Sequence, residues 1–136
     1  MKKLILIVLS IISFNCYSSN WKQIPYGWVV DTTSIQKLSN GNIKVWFKHI
    51  LPTEVTSKIQ SDLRNIGIDK NYSNYSYSLS LFEINCSQRT QRSNSGIDYT
   101  FDNRVIDSYE LPNGKFSSVI PDSEGDFNFK YICSKK

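Results

Sequence analysis

The sequence predicts an α+β domain built on an antiparallel sheet. Apolar and polar residues alternate from Ile43 to Leu51, directly after an Asn-Gly pair at positions 40–41 that is typical of tight hairpins. The segment Thr53–Ile66 then changes to helical spacing. Further strand-like segments separated by turn residues run toward the C-terminus, so the helix is predicted to be an insertion among sequential strands.

Residues 1–18 have the features of a signal peptide, and residues 19–136 form the predicted domain. Lys2 and Lys3 precede an apolar run that ends at Phe14, and small polar residues lead to an expected cleavage after Ser18. The run is shorter than the roughly 20 residues that span a bilayer. We therefore expect an exported chain, located in the periplasm or at the cell surface of a bacterium.

Cys16 suggests a second route, because bacterial lipoproteins are lipidated on the cysteine that follows the cleaved bond. Such signals usually end in a small residue, whereas Phe14 and Asn15 stand before Cys16 here. The signal-peptide prediction therefore treats Cys16 as part of the removed segment. Membrane attachment is expected only if Cys16 is lipidated.

The mature chain is expected to be one domain of about 118 residues. Without Lys2 and Lys3 it carries 14 basic and 12 acidic residues, a balance that predicts no nucleic-acid partner and does not indicate an oligomeric state. It retains Cys86 and Cys133, which an oxidising compartment is expected to join. In the chain-entropy model, such a loop stabilises the fold by up to roughly 4 kcal/mol.

Turn residues divide the chain into strands around the inserted helix. Turns are expected at Asp31–Thr33, at Asn94–Gly96 and at Pro112–Gly114, and the Tyr-rich tract Asn71–Ser78 is expected to be an exposed loop. The apolar parity changes at positions 81–82, which indicates either a bulge or a strand buried on both faces. The predicted strands are Gly27–Val30, Ile43–Leu51, Leu79–Cys86, Ile97–Phe101 and Val105–Leu111.

The predicted helix is amphipathic. Pro52 or Thr53 would open it and Gly67 would close it. Packing of its apolar stripe on the sheet is the simplest arrangement, and a stripe that faces a partner is the alternative. The stripe consists of Val55, Ile59, Leu63 and Ile66.

Residues 127–133 fit two structures. Their aromatic residues alternate as in a strand, whereas Phe129, Ile132 and Cys133 form one helical face. Ser123 followed by Asp126 resembles a helix start, although a glycine stands between them. The local sequence leaves both structures open.

The residues needed for common catalytic and cofactor sites are missing or isolated. His49 is the only histidine, and it stands in a strand pattern where a hydrogen-bonded structural role is expected. The two mature cysteines are explained as a disulfide, and no nucleophile elbow, glycine-rich phosphate loop or closely spaced set of metal ligands occurs. We therefore predict a protein that is not an enzyme, with no cofactor, metal or catalytic residue.

Two groups of residues are candidates for contact with a protein partner. Arg89, Arg92 and Arg104 could dock an acidic or sulfated partner, or they could form a solvated edge that discourages sheet stacking. Tyr72 and Tyr75 belong to the Tyr-rich tract, and tyrosine offers contact area at low entropic cost. Their alternative role is as tyrosines at a strand edge.

A series of short landmarks resembles the surface-adhesin protein E family of small exported bacterial domains. Their order and spacing carry the resemblance, which covers nearly all of the mature chain, and the segment Pro52–Tyr77 departs from it as an added helix and loop. The landmarks are Trp21, Val30-Asp31, Ser34-Ile35, Val45-Trp46, Ser80–Glu83, Cys86, Arg89, Val119, Pro121, Ser123 and Cys133.

The resemblance implies an antiparallel sheet of about six strands, with a C-terminal helix packed on it and held by a disulfide between Cys86 and Cys133. It also implies a binding module whose named relatives bind host matrix proteins such as vitronectin and laminin. No ligand motif of the family can be placed on residues of this chain. The alternative function is that of a periplasmic accessory or inhibitor protein that binds an envelope component.

Overall fold

The computed structural model describes residues 18–66, 72 and 74–135. The expected signal peptide, except Ser18, lies outside these residues, as do Cys16 and Gly67, and export therefore stays a prediction. The described elements are β1 (Trp21–Gln23), β2 (Trp28–Asp31), a 3-10 helix (Thr32–Ser34), β3 (Gln36–Lys37), β4 (Ile43–Ile50), α1 (Thr53–Asn65), β5 (Tyr75–Asn85), β6 (Thr90–Thr100), β7 (Val105–Glu110), β8 (Ser117–Ser118) and α2 (Glu124–Cys133).

Six of these strands form one antiparallel path in the order β1-β2-β4-β5-β6-β7. The two-residue strands β3 and β8 pair with β4 and β6, also antiparallel. The predicted α+β class, with an antiparallel sheet of about six strands, is confirmed.

Strand β4 and the turn before it follow the predicted pattern. Gly41 has a φ of 82°, a left-handed conformation that glycine adopts readily, and the amide of Leu38 donates to the carbonyl of Asn42 at 2.8 Å. Along β4, Val45 and Phe47 are 0% and 1% exposed. The alternation of apolar residues therefore identifies the buried face of this strand.

Two segments predicted as turn or loop are parts of strands. The expected turn at positions 94–96 lies inside β6, and the expected loop 71–78 already contains the start of β5 at Tyr75. Residues 90–96 are polar and show no apolar alternation, so pairing with β5 makes them a strand. The register of β5 on β6 shifts between Leu81 and Phe82, where the parity change predicted a bulge.

The C-terminal segment is a helix that covers one face of the sheet. The side chain of Ser123 accepts a hydrogen bond from the amide of Asp126 and caps α2, so the tertiary setting and this cap decide between the two local patterns. The main core lies between α2 and the sheet. It contains Ile24, Val30, Val45, Phe47, Ile84, Val119, Phe129 and Ile132.

Helix α1 has close to the predicted span and lies on the sheet, but only half of its apolar stripe is covered there. Val55 and Ile66 are exposed, whereas Ile59 and Leu63 are only partly buried. The core face is already occupied by α2, and α1 lies near the start of β5, where Ser78 and other polar groups face it. Half of the stripe therefore remains in contact with solvent.

The predicted disulfide is present and joins Cys86, just after β5, to Cys133, the last residue of α2. The two Cα atoms are 5.7 Å apart. Because the cysteines are 47 positions apart, the bond closes a long loop and restricts the unfolded chain strongly. The bond therefore fixes the C-terminal end of α2 on the core face.

We predict that replacing both Cys86 and Cys133 with alanine lowers the thermal midpoint of unfolding by about 10–20 °C. This follows from a loss of roughly 3–4 kcal/mol in a domain of this size. The measurement is thermal unfolding followed by circular dichroism, with and without reductant. Reductant should lower the midpoint of the wild-type chain and leave that of the double variant unchanged, and equal midpoints for both proteins without reductant would contradict the prediction.

Candidate functional site

The two faces of the sheet differ in what covers them. Val45 and Phe47 of β4 point to α2 and are fully buried, whereas Trp46 and Lys48 alternate with them, point the other way and are partly exposed. Within the described residues, both α1 and α2 lie against the same face as Phe47. The opposite face, here called the open face, is not covered by either of these helices.

Strand register shows which residues share the open face. Leu81 lies opposite Trp46, and Tyr77 lies opposite both Ile50 and Tyr99 on its two neighbouring strands. The apolar and aromatic side chains at the centre of this face are partly exposed, as expected of side chains that only neighbours on the same face cover. The open face carries Trp21, Val29, Trp46, Lys48, Tyr77, Leu79, Leu81, Ile97 and Tyr99, and toward the start of β4 it also carries Lys44, Glu83 and Arg92.

Aromatic rings and the ammonium group of Lys48 contact one another on the open face. The Nζ atom of Lys48 lies 4.6 Å from the ring centroid of Trp21 and 4.7 Å from that of Tyr77. The ring of Tyr77 stacks on that of Tyr99 with centroids 4.9 Å apart. Cation–π and stacking contacts fix these side chains before any partner arrives, which lowers the entropy lost on binding.

Arg92, a predicted contact residue, is engaged with a buried carboxylate. Its guanidinium donates to Glu83 at 2.6 and 3.0 Å and to the carbonyl of Gly114 at 3.2 Å. Glu83 is 2% exposed and also accepts a hydrogen bond from Asn42. Burial raises the pKa of Glu83, but the hydrogen bonds from Asn42 and Arg92 outweigh it and lower that pKa overall.

The other two arginines lie far apart. Arg89 pairs with the buried carboxylate of Asp126 and packs over the ring of Phe129. Arg104 pairs with the exposed Asp102 in the turn after β6. Arg89 and Arg104 thus flank the two ends of an eleven-residue strand, roughly 35 Å apart. The structure therefore does not bring the three arginines together as one basic surface, and their role in binding stays a prediction.

Tyr72 and Tyr75 take part in a hydrogen-bond network beneath α1. The hydroxyl of Tyr72 donates to Asp98 at 2.9 Å, Ser78 donates to the same carboxylate, and the hydroxyl of Tyr75 lies 2.7 Å from that of Ser78. Burial and the neighbouring Asp98 raise the pKa of Tyr72. Tyr75 is buried and Tyr72 is partly exposed, and their predicted contact with a partner also stays a prediction.

A cleft lies beside His49, the single histidine. The imidazole of His49 stacks on the indole of Trp28 with centroids 4.1 Å apart, and the indole Nε1 donates to Glu124 at 3.1 Å. His49 Nε2 is 4.0 Å from the same carboxylate oxygen. Burial lowers the pKa of His49, and the nearby Glu124 only partly offsets this. The imidazole is therefore neutral at neutral pH and has a structural place in the strand.

A metal site and a membrane-spanning helix are both absent from the described residues. No group of three or more His, Cys, Asp or Glu side chains in the described part of the chain is arranged to hold a metal ion. Neither α1 nor α2 has the length and apolar character that crossing a bilayer requires.

A single antiparallel sheet with a disulfide-held C-terminal helix on one face defines the class: a small α+β domain with one open sheet face. Among solved structures, this fold is that of protein E. The chain is similar to protein E of Haemophilus influenzae in crystal form II, at 12% identity and a TM-score of 0.56 over 87% of this chain and 90% of that one. It is also similar to protein E from non-typeable Haemophilus influenzae, at 12% identity and a TM-score of 0.55 over 86% and 77%.

No protein-family model matches the chain, and no curated protein matches it. At 12% identity, the likeness to the two protein E structures shows the fold alone. The resemblance read from the sequence landmarks is confirmed at that level, as a protein E-like fold.

We predict that Arg92→Ala destabilises the domain by about 3–5 kcal/mol, because the buried Glu83 carboxylate would lose its charged partner. The matched change Arg104→Ala removes an exposed ion pair and should cost less than about 1 kcal/mol. Chemical unfolding of both variants at neutral pH gives the comparison. Equal costs would show that Arg92 is not structurally engaged.

The Glu83–Arg92 pair also makes the stability of the domain depend on pH. Because the pKa of Glu83 in the folded chain is below its ordinary value of 4.5, the ionised carboxylate stabilises the fold above that pH, and this stability is lost as the pH falls further. In Arg92→Ala the pKa of Glu83 rises because its charged partner is gone, so the loss of stability on acidification should be smaller than in the wild-type chain. An unchanged pH profile would contradict this assignment.

Proposed function

We propose that this chain is an exported, non-enzymatic binding module that contacts a protein partner, such as a host extracellular matrix protein, through its open face. The observation that carries the proposal is the contrast along β4, where Phe47 is buried and the adjacent Trp46 is partly exposed. A sheet face with this many aromatic and aliphatic side chains, and no helix of the described chain upon it, has the chemistry of an interaction surface.

The composition of the open face favours a protein partner. Trp and Tyr are enriched in protein interfaces because they bury a large area with few rotatable bonds. Trp21, Trp46, Tyr77 and Tyr99 lie on this face, and Lys48 adds one positive charge between two of the rings. The protein E-like fold and the resemblance to the surface-adhesin family support the choice of a matrix protein.

An alternative is a periplasmic accessory or inhibitor protein that uses the same face to bind an envelope component. Phe14 and Asn15 favour it, because they stand where the signal of a lipidated surface protein usually has a small residue. Protease treatment of intact cells separates the two locations. Degradation before the envelope is opened is expected for a surface adhesin, and protection until the envelope is opened is expected for the periplasmic protein.

We predict that Trp46→Ala weakens binding of the mature chain to immobilised vitronectin or laminin by at least about tenfold. A central aromatic residue of an interface commonly contributes this much, and the change removes a ring from the middle of the open face. Surface plasmon resonance with both matrix proteins gives the dissociation constants.

The matched control is Ile120→Ala, which shortens an exposed apolar side chain outside the open face. This variant should bind as the wild-type chain does, and both variants should show the wild-type circular dichroism spectrum. Absence of saturable binding to either matrix protein by the wild-type chain would remove the matrix-protein assignment. Equal binding by Trp46→Ala and Ile120→Ala would remove the open face as the contact surface.

A further inference from the structure

We propose that a cleft beside His49 receives a lysine or arginine side chain of the protein partner, with Glu124 as its counter-ion. This cleft, here called the acidic cleft, has a volume of about 390 Å³ and is lined by Tyr26, Gly27, His49, Ile50, Leu51, Pro52, Val55 and Glu124. The inference rests on the proposed function, because it assumes that the partner is a protein. It adds a second contact, on the α2 side of the sheet at the end of β4, and the kind of side chain that the partner must supply there.

Four segments of the chain build the acidic cleft. The turn between β1 and β2 is held against the end of β4 by a hydrogen bond from the amide of Ile50 to the carbonyl of Gly27 at 2.9 Å. Gly27 has a φ of 75°, and a Cβ atom there would collide with the Ile50 carbonyl. The starts of α1 and α2 contribute Val55 and Glu124. The wall formed by the β1–β2 turn and the end of β4 is therefore fixed by a backbone contact.

Tyr26 is held at the mouth of the acidic cleft in an unfavourable conformation. Its φ is 63°, in the left-handed region that aromatic residues rarely adopt, and its ring is 60% exposed. The ring rests against Phe127 with centroids 5.0 Å apart. Backbone strain that leaves a large ring in solvent is unfavourable for the isolated chain, and such strain is characteristic of functional positions.

The apolar lining fits the stem of a long basic side chain. Tyr26, Ile50 and Val55 are all large hydrophobic residues that remain exposed, and all three line this one cleft. Lysine and arginine bury their methylene groups along apolar surfaces while their charged ends reach a polar partner. Binding of such a side chain would therefore cover three apolar residues at once, including one from the α1 stripe.

The charge of the acidic cleft selects a cation. Glu124 is the only lining residue with a formal charge at neutral pH, since His49 is neutral there. Its side chain is 54% exposed, one carboxylate oxygen accepts the Trp28 hydrogen bond, and no lysine or arginine among the described residues pairs with it. Glu124 also stands at the start of α2, where a negative charge is favourable. This position explains how the carboxylate is stabilised without a paired cation.

Other ligands fit less well. An anion would be repelled by Glu124. A purely apolar side chain would remove water from the carboxylate without replacing its hydrogen bonds, which is costly. Glu124 is held by the Trp28 indole, so its position is set before binding. A cationic hydrogen-bond donor at the end of an apolar side chain would contact both the apolar walls and the carboxylate of the cleft. Lysine and arginine are the residues with that chemistry.

The first test is a nuclear magnetic resonance titration of the mature chain that follows the indole N–H signal of Trp28. The probes are N-acetyl-arginine methylamide and N-acetyl-lysine methylamide. The matched control probe is N-acetyl-citrulline methylamide, which has nearly the shape of arginine without its charge. We expect saturable shifts with both cationic probes and binding about tenfold weaker for citrulline, because its hydrogen bond to Glu124 comes from a neutral donor.

The second test uses two variants of the chain. Glu124→Gln keeps an acceptor for Trp28 and removes the charge, and it should weaken binding of both cationic probes by about tenfold to the level of citrulline. Asp122→Asn removes an exposed charge of the same segment outside the lining of the cleft and should bind the probes as the wild-type chain does.

Equal binding of arginine and citrulline probes, or no movement of the Trp28 signal up to the solubility limit of the cationic probes, would overturn the inference. These outcomes are distinct from failure of the proposed function. If the probes do not bind while Trp46→Ala still weakens binding to the matrix protein, the cleft assignment fails and the proposed function stands. If the probes bind but no protein partner does, the cation site stands and the proposed function fails.

Discussion

The structure depends on the attachment of α2 to one face of the sheet, and this attachment has two parts. The disulfide between Cys86 and Cys133 holds the C-terminal end of the helix. At the other end the fully buried carboxylate of Asp126 accepts hydrogen bonds from the side chains of Arg89 and Lys130 and from the amide of Asp122. A buried charge is costly unless it is paired, so these partners and the helix stay together.

The same attachment decides which face of the sheet stays open. Because α2 supplies the apolar layer for one face, the core forms there and the opposite face keeps its rings in contact with solvent. Two of the arginines predicted to bind a partner are engaged within the domain, since Arg89 pairs with Asp126 of α2 and Arg92 pairs with Glu83 on the sheet. Ion pairs with buried carboxylates thus help to hold the domain together, while aromatic side chains remain partly exposed on the open face.

Sequence periodicity predicted β4, the span of α1 and the α+β class because each has a long regular pattern, and cysteine pairing predicted the disulfide. Periodicity did not predict that residues 90–96 are part of β6, because these residues are polar and become a strand by pairing with β5. Alternation shows which side chains of a strand share a face. Identifying the open face also requires the position of α2. The acidic cleft could not be predicted either, because Tyr26, His49 and Glu124 are far apart in sequence and meet only after folding.

Hydroxyl-radical labelling of the free mature chain, read by mass spectrometry, tests most directly whether the face opposite α2 is open. We predict that Trp46, Tyr77 and Tyr99 are oxidised at a substantial fraction of their rates in the unfolded chain, whereas Phe47 and Phe129 are protected. Protection of Trp46 and Tyr99 equal to that of Phe47 in the free chain would contradict the account, since it would mean that another layer covers this face before any partner binds.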